Sequence, residues 1–204
     1  MERITLVRHG ETDWNKNHRI QGGSSDTLLN ETGRQQAEKV ALRLKSENIQ
    51  AIYSSPLQRA LDTARAIAKY HHLKIETEPS LRELEVGELE GVPVTEIGKH
   101  LDKIMTDGNE SGFPSVMPGG ESLVKLQERT WNSIRNIVQK HPGGEVVVIC
   151  HYFVLLSIIC SVINLPISQI GRFRVNAGSI SAIIFDGEHS RLVLFNDISH
   201  FTDN

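Results

Sequence analysis

The chain has 204 residues, of which 39% are hydrophobic and 23% are charged, and its formal net charge is −3. This length is typical of a single domain, here taken as residues 1–204, and the apolar fraction excludes a disordered chain. The small acidic excess, with no basic stripe, argues against a nucleic-acid partner.

We expect a cytoplasmic protein with no membrane partner. The strand-like stretch 4–7 is shorter than the apolar region of about 7–15 residues in a secretory signal. The most apolar run, 152–163, is shorter than the about 20 residues that cross a membrane, so it predicts a buried helix. Cys150 and Cys160 lie in apolar stretches, which indicates buried thiols in a reducing compartment.

Strands and helices alternate along the first part of the chain. Residues 4–8 are predicted to form a short buried strand, and the polar segment 15–29 a loop. Apolar residues at three- and four-residue spacing predict a helix over 31–47, capped by Asn30 or Thr32. Strands at 51–54 and 74–78 flank a second helix, for which Ser55 is the predicted N-cap and Pro56 the first helical residue.

The segment from about 85 to 141 has a different character and is predicted to form a lid sub-domain. It contains a short helix after Pro93, a stretch rich in Gly, Pro and Ser over 107–120, and a longer helix over 122–140. A loop of this length inside a domain is usually functional.

The last part of the chain completes the sheet. Residues 145–150 predict a central strand, 152–163 a helix, and 179–186 and 192–196 two strands joined by a turn at 187–190. The alternation predicts an α/β three-layer sandwich in which a mainly parallel central sheet is flanked by helices.

Charged and imidazole side chains follow the predicted strands. They are Arg8 and His9 after the first strand, Arg59 after the second, Arg82 and Glu83 after the third, and His151 after the strand 145–150. Because ligands of open α/β sheets bind beyond the carboxyl ends of the strands, these side chains are expected at one site.

Such a set of side chains suits a phosphoryl group. Arginine offers planar forks of donors that match phosphate oxygens. The start of the Ser55–Pro56 helix would add free N–H groups. A neutral histidine can attack phosphorus and form a covalent intermediate, and a carboxyl group can move the proton of the leaving oxygen.

The segments around these residues carry a family resemblance. Leu-Val-Arg8-His9-Gly-Glu-Thr-Asp-Trp-Asn15 resembles the signature of the histidine phosphatase superfamily, also called phosphoglycerate mutase-like. The match continues through Gln21-Gly22 and the segments 29–37, 52–60, 81–84, 87–91, 118–122 and 147–151. The order and spacing of these motifs cover nearly the whole chain.

The resemblance implies a role for each matching residue. His9 would be the phosphorylated nucleophile and Glu83 the proton donor and acceptor. The phosphoryl oxygens would be held by Arg8, Arg59 and His151 with Asn15, and Gln21 and Gly22 would lie in or just outside this shell. No metal or organic cofactor is implied. The expected partner is a small phosphorylated metabolite, and the oligomeric state stays open between monomer and homodimer.

Two positions are less regular. The family usually has Gly after the second histidine, where this chain has Tyr152, and a tyrosine there would narrow the approach to the ligand or project a side chain toward it. His200 lies in a tail that resembles those of small phosphatases of the family, where the histidine either faces the substrate or is structural.

The expected function is a metal-independent phosphomonoester hydrolase that acts through a phosphohistidine. The alternatives are a phosphoglycerate mutase and an inactive module that binds a phosphorylated ligand. Mutases of the family are typically longer and carry an Arg-His-Tyr-Gly type element after the catalytic Glu, which the segment 83–91 lacks. Phosphoserine, α-ribazole phosphate, sugar phosphates and broad specificity all stay open as substrates.

Overall fold

A six-stranded sheet forms the centre of the computed structural model, which describes residues 1–96 and 116–202. The strands are β1 (Glu2–Arg8), β2 (Ile49–Ser54), β3 (Ile75–Thr77), β4 (Glu145–Cys150), β5 (Ile180–Asp186) and β6 (His189–Asp197). Their order is β3-β2-β4-β1-β5-β6. The pairs among β3, β2, β4 and β1 are parallel, and β5 and β6 add antiparallel pairs. The predicted α/β fold with a mainly parallel sheet is confirmed.

Helices cover both faces of this sheet. They are α1 (Asp13–Lys16), α2 (Glu31–Leu44), α3 (Gln58–His71), α4 (Leu123–Lys140) and α5 (Tyr152–Val162). One apolar cluster joins α2 and α3 to one face of the sheet, and a second joins α4 and α5 to the other. Short 3₁₀ turns lie at Pro79–Leu81, Gly87–Leu89, Val94–Glu96, Ile167–Arg172 and Ser199–Phe201.

The sequence of β4 reflects its central position. Val146 and Val148 pack in the cluster with α4 and α5, whereas Val147 and Ile149 pack in the cluster with α2 and α3. Because alternate side chains of a strand point to opposite faces, a strand buried on both faces must be apolar throughout. The near-continuous apolar sequence of this strand follows from that constraint.

The register of the parallel strands brings their carboxyl ends together. Arg8 lies opposite Cys150, and Ser54 opposite Ile149. The ladder continues one residue further, since His9 N–H donates to the Cys150 carbonyl and Ser55 N–H to the Ile149 carbonyl, both at 3.0 Å. The residues that follow β1, β2 and β4 therefore share one edge of the sheet.

The start of α3 differs from the prediction. The helix begins at Gln58 with Leu57 as its N-cap residue, and not at Pro56 with a Ser55 cap. Ser55 is still held in the sheet by its N–H, and its hydroxyl bonds to His151. The first N–H of α3 instead donates to the Asp26 carboxylate at 2.6 Å, so that this helix end is already occupied by an anion of the chain.

Other boundaries also differ from the prediction, and α2 ends at Leu44 where residue 47 was expected. A short helix, α1, extends from Asp13 into the region expected to be a loop, because Thr12 and Asn15 form a reciprocal capping box. β6 begins at His189, where Leu192 was expected, because Gly187 adopts a left-handed φ of 61°. That conformation permits a two-residue turn between Asp186 and His189.

The lid sub-domain of about 85–141 stays a prediction. Residues 97–115 lie outside the described part of the chain, and with them most of the stretch 107–120. The described remainder comprises the turns Gly87–Leu89 and Val94–Glu96 and the helix α4, which begins at Leu123 with Ser122 as its N-cap residue, where a helix start at Ser122 was expected. Within residues 1–96 and 116–202, no helix has the length and apolar character needed to cross a membrane.

The first turn of α2 contacts the loop after His9 at a distance that only glycine permits. A Cβ on Gly33 would lie 2.0 Å from the Glu11 carbonyl oxygen, which is backbone and cannot move aside. Gly33→Ala should therefore destabilise the protein by about 1–3 kcal/mol. The measurement is urea unfolding, with the exposed neighbour Thr32→Ala as a control that should shift stability by less than about 0.5 kcal/mol. Equal stability of the two variants would contradict the packing described here.

Candidate active site

Four predicted residues meet at the shared edge of the sheet. His9, Arg59, Glu83 and His151 are each at most 3% exposed. The His9 and His151 rings lie with centroids 5.1 Å apart, and the Arg59 Nε lies 3.3 Å from His151 Nδ1. Burying this many ionisable groups is costly unless they pair or bind a ligand, so the cluster is a candidate active site.

His9 has a defined tautomer. Its Nδ1 lies 2.7 Å from the Gly10 carbonyl oxygen, which can only accept a hydrogen bond. Nδ1 therefore carries the proton, and the Nε2 lone pair has no hydrogen-bond partner among the residues that the structure describes. Burial, followed by the positive charges of Arg59 and Arg8, holds the pKa of His9 well below its usual value. A neutral imidazole with a free Nε2 is the form that can attack phosphorus.

His151 has the opposite tautomer. Arg59 Nε can only donate, so His151 Nδ1 accepts, and its Nε2–H donates to Ser55 Oγ at 2.7 Å. Burial and then Arg59 lower the pKa of His151 well below its usual value. The second imidazole is thus a neutral donor. Ser55, which was predicted only as a helix cap, is its partner.

Arg59 is held rigidly although it is fully buried. Nη1 donates to the Ser25 carbonyl at 2.7 Å and Nη2 to the Gly22 carbonyl at 3.0 Å. Burial lowers the pKa of Arg59 to about 10, so the guanidinium is still charged near neutral pH. Of its five N–H groups, these bonds and the one to His151 use three.

Arg8 is partly buried and contributes a second guanidinium. Its Nη1 donates to the Val175 carbonyl at 2.7 Å, while its buried Nε has no partner in the described part of the chain. Burial lowers the pKa of Arg8, and the negative charge of Glu83 is the largest influence that opposes this shift. A buried charged donor left unpaired is destabilising, so this N–H is suited to an anionic ligand.

Glu83 is a buried carboxyl group with a raised pKa. Burial raises the pKa of Glu83, and the N–H groups of Leu84 and Phe153, which donate to its two oxygens at 2.8 and 3.2 Å, oppose that rise only in part. Phe153 lies in the first turn of α5, two residues after His151. A carboxyl group held in this way can carry a proton at a higher pH than an exposed glutamate.

This geometry agrees with the comparison of the whole chain with known proteins. A model of the histidine phosphatase superfamily (branch 1) matches residues 4–198. The chain belongs to this superfamily. It is 35% identical over 212 residues to phosphoglycerate mutase-like protein 4 of Arabidopsis thaliana, across 98% of this chain and 87% of that protein.

Solved structures of the superfamily have the same fold. YhfR of Bacillus stearothermophilus matches with a TM-score of 0.88 and 30% identity, over 99% of this chain and 100% of that one. Phosphoserine phosphatase of Entamoeba histolytica, in complex with 3-phosphoglyceric acid, matches with a TM-score of 0.86 and 27% identity, over 99% and 100% of the two chains. The protein is an enzyme of the phosphatase class.

A hydrogen-bonded loop next to the predicted phosphoryl clamp (Arg8, Arg59 and His151) contains Asn15, Gln21 and Gly22. Asn15 Nδ2 donates to Gln21 Oε1 at 3.3 Å, and Gln21 Nε2 donates to the hydroxyl of Thr27. Gly22 contributes its carbonyl to Arg59, and a Cβ on it would lie 2.5 Å from a Val86 methyl group. Direct contact of Asn15 and Gln21 with a phosphoryl group stays a prediction, whereas Gly22 is required for close packing.

Tyr152, in place of the usual glycine of the superfamily, lies against Arg8. The Arg8 guanidinium carbon is 5.1 Å from the centroid of the tyrosine ring, and the Tyr152 hydroxyl donates to the Phe173 carbonyl at 3.1 Å. The ring therefore covers one side of the arginine and fixes its plane. Its effect on substrate binding stays a prediction.

Two other residues near the strand ends have structural partners. Arg82, expected at the same edge, donates from Nη2 to the Gly23 carbonyl, and its Nε lies 3.8 Å from Glu85. His200 Nε2 donates to the Gly178 carbonyl at 3.0 Å. Gly178 N–H in turn donates to the carbonyls of Arg8 and His9. His200 thus supports the backbone of Arg8 and His9 through Gly178.

Arg129 on α4 is a supporting residue that the sequence patterns did not reveal. It forms a two-point ion pair with Glu121, at 2.7 and 2.8 Å. Its Nη1 also donates to the carbonyls of Ser80 and Arg82, at 2.6 and 2.8 Å. Arg129 therefore fixes the backbone that leads into Glu83. Glu121 was part of a recognised motif, but Arg129 resembled any other charged residue of a helix.

The described residues contain no group of three or more His, Cys, Asp or Glu side chains arranged to bind a metal ion. The positive charge at the site comes from Arg8 and Arg59, with neutral donors from the imidazoles and the backbone. Arginine side chains alone can stabilise the charge of a phosphoryl group.

The tautomers of the two imidazoles can be observed directly. At pH 7, long-range ¹H–¹⁵N NMR spectra should show His9 protonated on Nδ1 and His151 protonated on Nε2. Because the pKa of both rings is held well below 6.5, neither should protonate as the pH falls from 7 to 6. His9→Gln and His151→Gln would assign the signals. A His9 ring protonated on Nε2 at pH 7 would contradict its role as a nucleophile.

Proposed function

We propose that the protein is a metal-independent phosphomonoester hydrolase that acts on a small phosphorylated metabolite through a phosphohistidine intermediate. The observation that carries the proposal is that, in the described part of the chain, neither His9 Nε2 nor the buried Nε–H of the adjacent Arg8 has a hydrogen-bond partner. One group is a nucleophile and the other is a charged donor for an oxyanion. Their neighbours in the site form the rest of the catalytic set.

In the first step, His9 Nε2 attacks phosphorus and the bond from phosphorus to the ester oxygen breaks. Arg8 and Arg59 stabilise the charge on the phosphoryl oxygens. Glu83 gives its proton to the leaving oxygen, which departs as an alcohol. The raised pKa of Glu83 suits this role, because the carboxyl group must still hold a proton when the ester bond breaks.

In the second step, water attacks the phosphorus of the phosphohistidine. Glu83, now a carboxylate, accepts the proton of that water, the N–P bond breaks, and inorganic phosphate leaves with His9 neutral again. For His151 to bind the phosphoryl group, an oxygen of the ligand must replace Ser55 Oγ as the acceptor of its Nε2–H.

The likeness to phosphoserine phosphatase of Entamoeba histolytica supports a small phosphorylated metabolite as the substrate class. Because the chain is 35% identical in sequence to phosphoglycerate mutase-like protein 4, a mutase activity is the second candidate function. Against the mutase, the segment after Glu83 lacks the Arg-His-Tyr-Gly type element typical of mutases of the family. Cys150 and Cys160 are buried and free, which fits a reducing compartment such as the cytoplasm.

The intermediate provides the first test. Rapid quenching with a ³²P-labelled phosphomonoester should trap phosphate on His9 that is stable in base and labile in acid. His9→Ala should bind vanadate but lose nearly all turnover, because the nucleophile is gone. Turnover by the wild-type enzyme should persist in EDTA.

Three results would contradict this proposal. They are label on a serine or aspartate, full activity of His9→Ala, and activity that EDTA abolishes and added metal restores. Transfer of the label to a phosphoglycerate acceptor, in preference to water, would establish the mutase instead.

The role of Glu83 provides the second test. Glu83→Gln should slow phosphorylation of His9 by an alkyl phosphate on the order of 10²–10⁴-fold, because an alkoxide needs a proton to leave. With p-nitrophenyl phosphate the loss should be smaller, since that leaving group needs little protonation. The measurement is the single-turnover rate with each substrate, and Arg59→Ala is the control that should impair both alike.

The pH dependence provides a further comparison within this test. In the wild type, the phosphorylation rate with an alkyl substrate should fall as the pH rises through the raised pKa of Glu83, because the acid form is lost. Glu83→Gln should remove this decline. Equal losses with the two substrates would place the general acid elsewhere, with Glu85 and Glu88 as the next candidates.

A further inference from the structure

A carboxylate outside the catalytic set binds the loop that holds Arg59. Glu90 Oε1 accepts the Gly22 N–H at 2.9 Å and the Ser25 hydroxyl at 2.5 Å. Both donors belong to the short loop after Gln21, and both bonds end on the same oxygen. Glu90 therefore fixes this loop at two points separated by two residues.

The same two loop residues hold the guanidinium of Arg59. The Ser25 carbonyl accepts from Arg59 Nη1 at 2.7 Å and the Gly22 carbonyl accepts from Nη2 at 3.0 Å. Since a guanidinium is planar and its donors point in fixed directions, two carbonyl positions determine its orientation. The position of Glu90 thus determines where Arg59 presents its remaining N–H groups.

The surroundings of Glu90 indicate that its role is to bind this loop. Its second oxygen, Oε2, is buried without a hydrogen-bond partner, and no Lys or Arg ion-pairs with Glu90 in the described residues. A carboxylate that is half-buried without a cation in contact is costly to keep. Two interactions offset this cost for Glu90. They are the hydrogen bonds from the two loop donors and the attraction to the charge of Arg59, whose pKa Glu90 helps to raise.

We propose that Glu90 is a positioning residue for the phosphoryl clamp and acts on Arg59 through Gly22 and Ser25. The inference rests on the proposed function, in which Arg59 binds the phosphoryl oxygens. Since a misplacement of about 1 Å in a catalytic group can cost on the order of 10²-fold in rate, loss of this support should be measurable although Glu90 does not touch the substrate.

The neighbouring serine provides a matched control. The Ser24 hydroxyl donates to Glu85 at 2.6 Å, and its carbonyl is not among those that accept from Arg59. Ser24→Ala and Ser25→Ala therefore remove the same chemical group from adjacent positions of one loop. Only the second change removes one of the two bonds by which Glu90 holds the loop under Arg59.

The test compares these variants with Glu90→Gln and Glu90→Ala. Ser25→Ala and Glu90→Ala should weaken vanadate binding and slow phosphorylation of His9 by about 10- to 100-fold, by the same factor for alkyl and aryl phosphates. Glu90→Gln keeps an acceptor oxygen in the same place, so it should recover most of what Glu90→Ala loses. Ser24→Ala should stay within about 2-fold of the wild type, as expected of a surface position.

The Arg59 Nε–H resonance in ¹⁵N NMR gives a readout that does not depend on turnover. It should shift in Ser25→Ala and stay in place in Ser24→Ala. If this shift occurs but the wild-type enzyme hydrolyses no phosphomonoester, the proposed function fails while the positioning by Glu90 stands.

The inference is overturned if Ser25→Ala and Glu90→Ala both leave the resonance, vanadate binding and both rates unchanged. It is also overturned if the loss is confined to alkyl phosphates, because Glu90 would then act through Glu83. If Glu90→Ala does not fold, the comparison of Ser25→Ala with Ser24→Ala decides the question by itself.

Discussion

The guanidinium of Arg59 has been removed entirely from water, and the arrangement of the site follows from how that charge is stabilised. Isolated buried charges are strongly destabilising unless hydrogen bonds and opposite charges surround them. Arg59 obtains two loop carbonyls, the Nδ1 of His151 and the field of Glu83. Burial first, and the charge of Arg59 second, lower the pKa of both imidazoles and keep them neutral. The buried arginine thereby reinforces the effect of burial on the protonation state of His9.

The opposed pKa shifts divide the catalytic roles among the ionisable groups. Burial disfavours the charged form of each group, so it lowers the pKa of His9 and raises the pKa of Glu83. The result is a histidine without its second proton beside a carboxyl group that tends to keep its own. These are the forms that a nucleophile and a general acid require, and they arise from one cause.

The proposed phosphoryl clamp and the proposed general acid are held by one connected set of hydrogen bonds. The loop of Gly22 and Ser25 contacts Arg59 on one side and Glu90 on the other, while Arg129 fixes the backbone that enters Glu83. The segment from Glu83 to Glu90 therefore carries the proposed general acid at one end and the proposed support of Arg59 at the other. A change in this segment would affect both groups.

The α/β fold, the apolar central strand and the residues that meet at the strand ends could be predicted from the sequence. Periodicity and strand ends are local patterns, and the motifs around His9, Arg59 and His151 are distinctive. The bond of Ser55 to His151, and the Asp26 carboxylate at the start of α3, became visible only in the folded chain. Such partners lie tens of residues apart, and one charged or hydroxyl side chain in a sequence resembles another until the fold brings its partner within hydrogen-bonding distance.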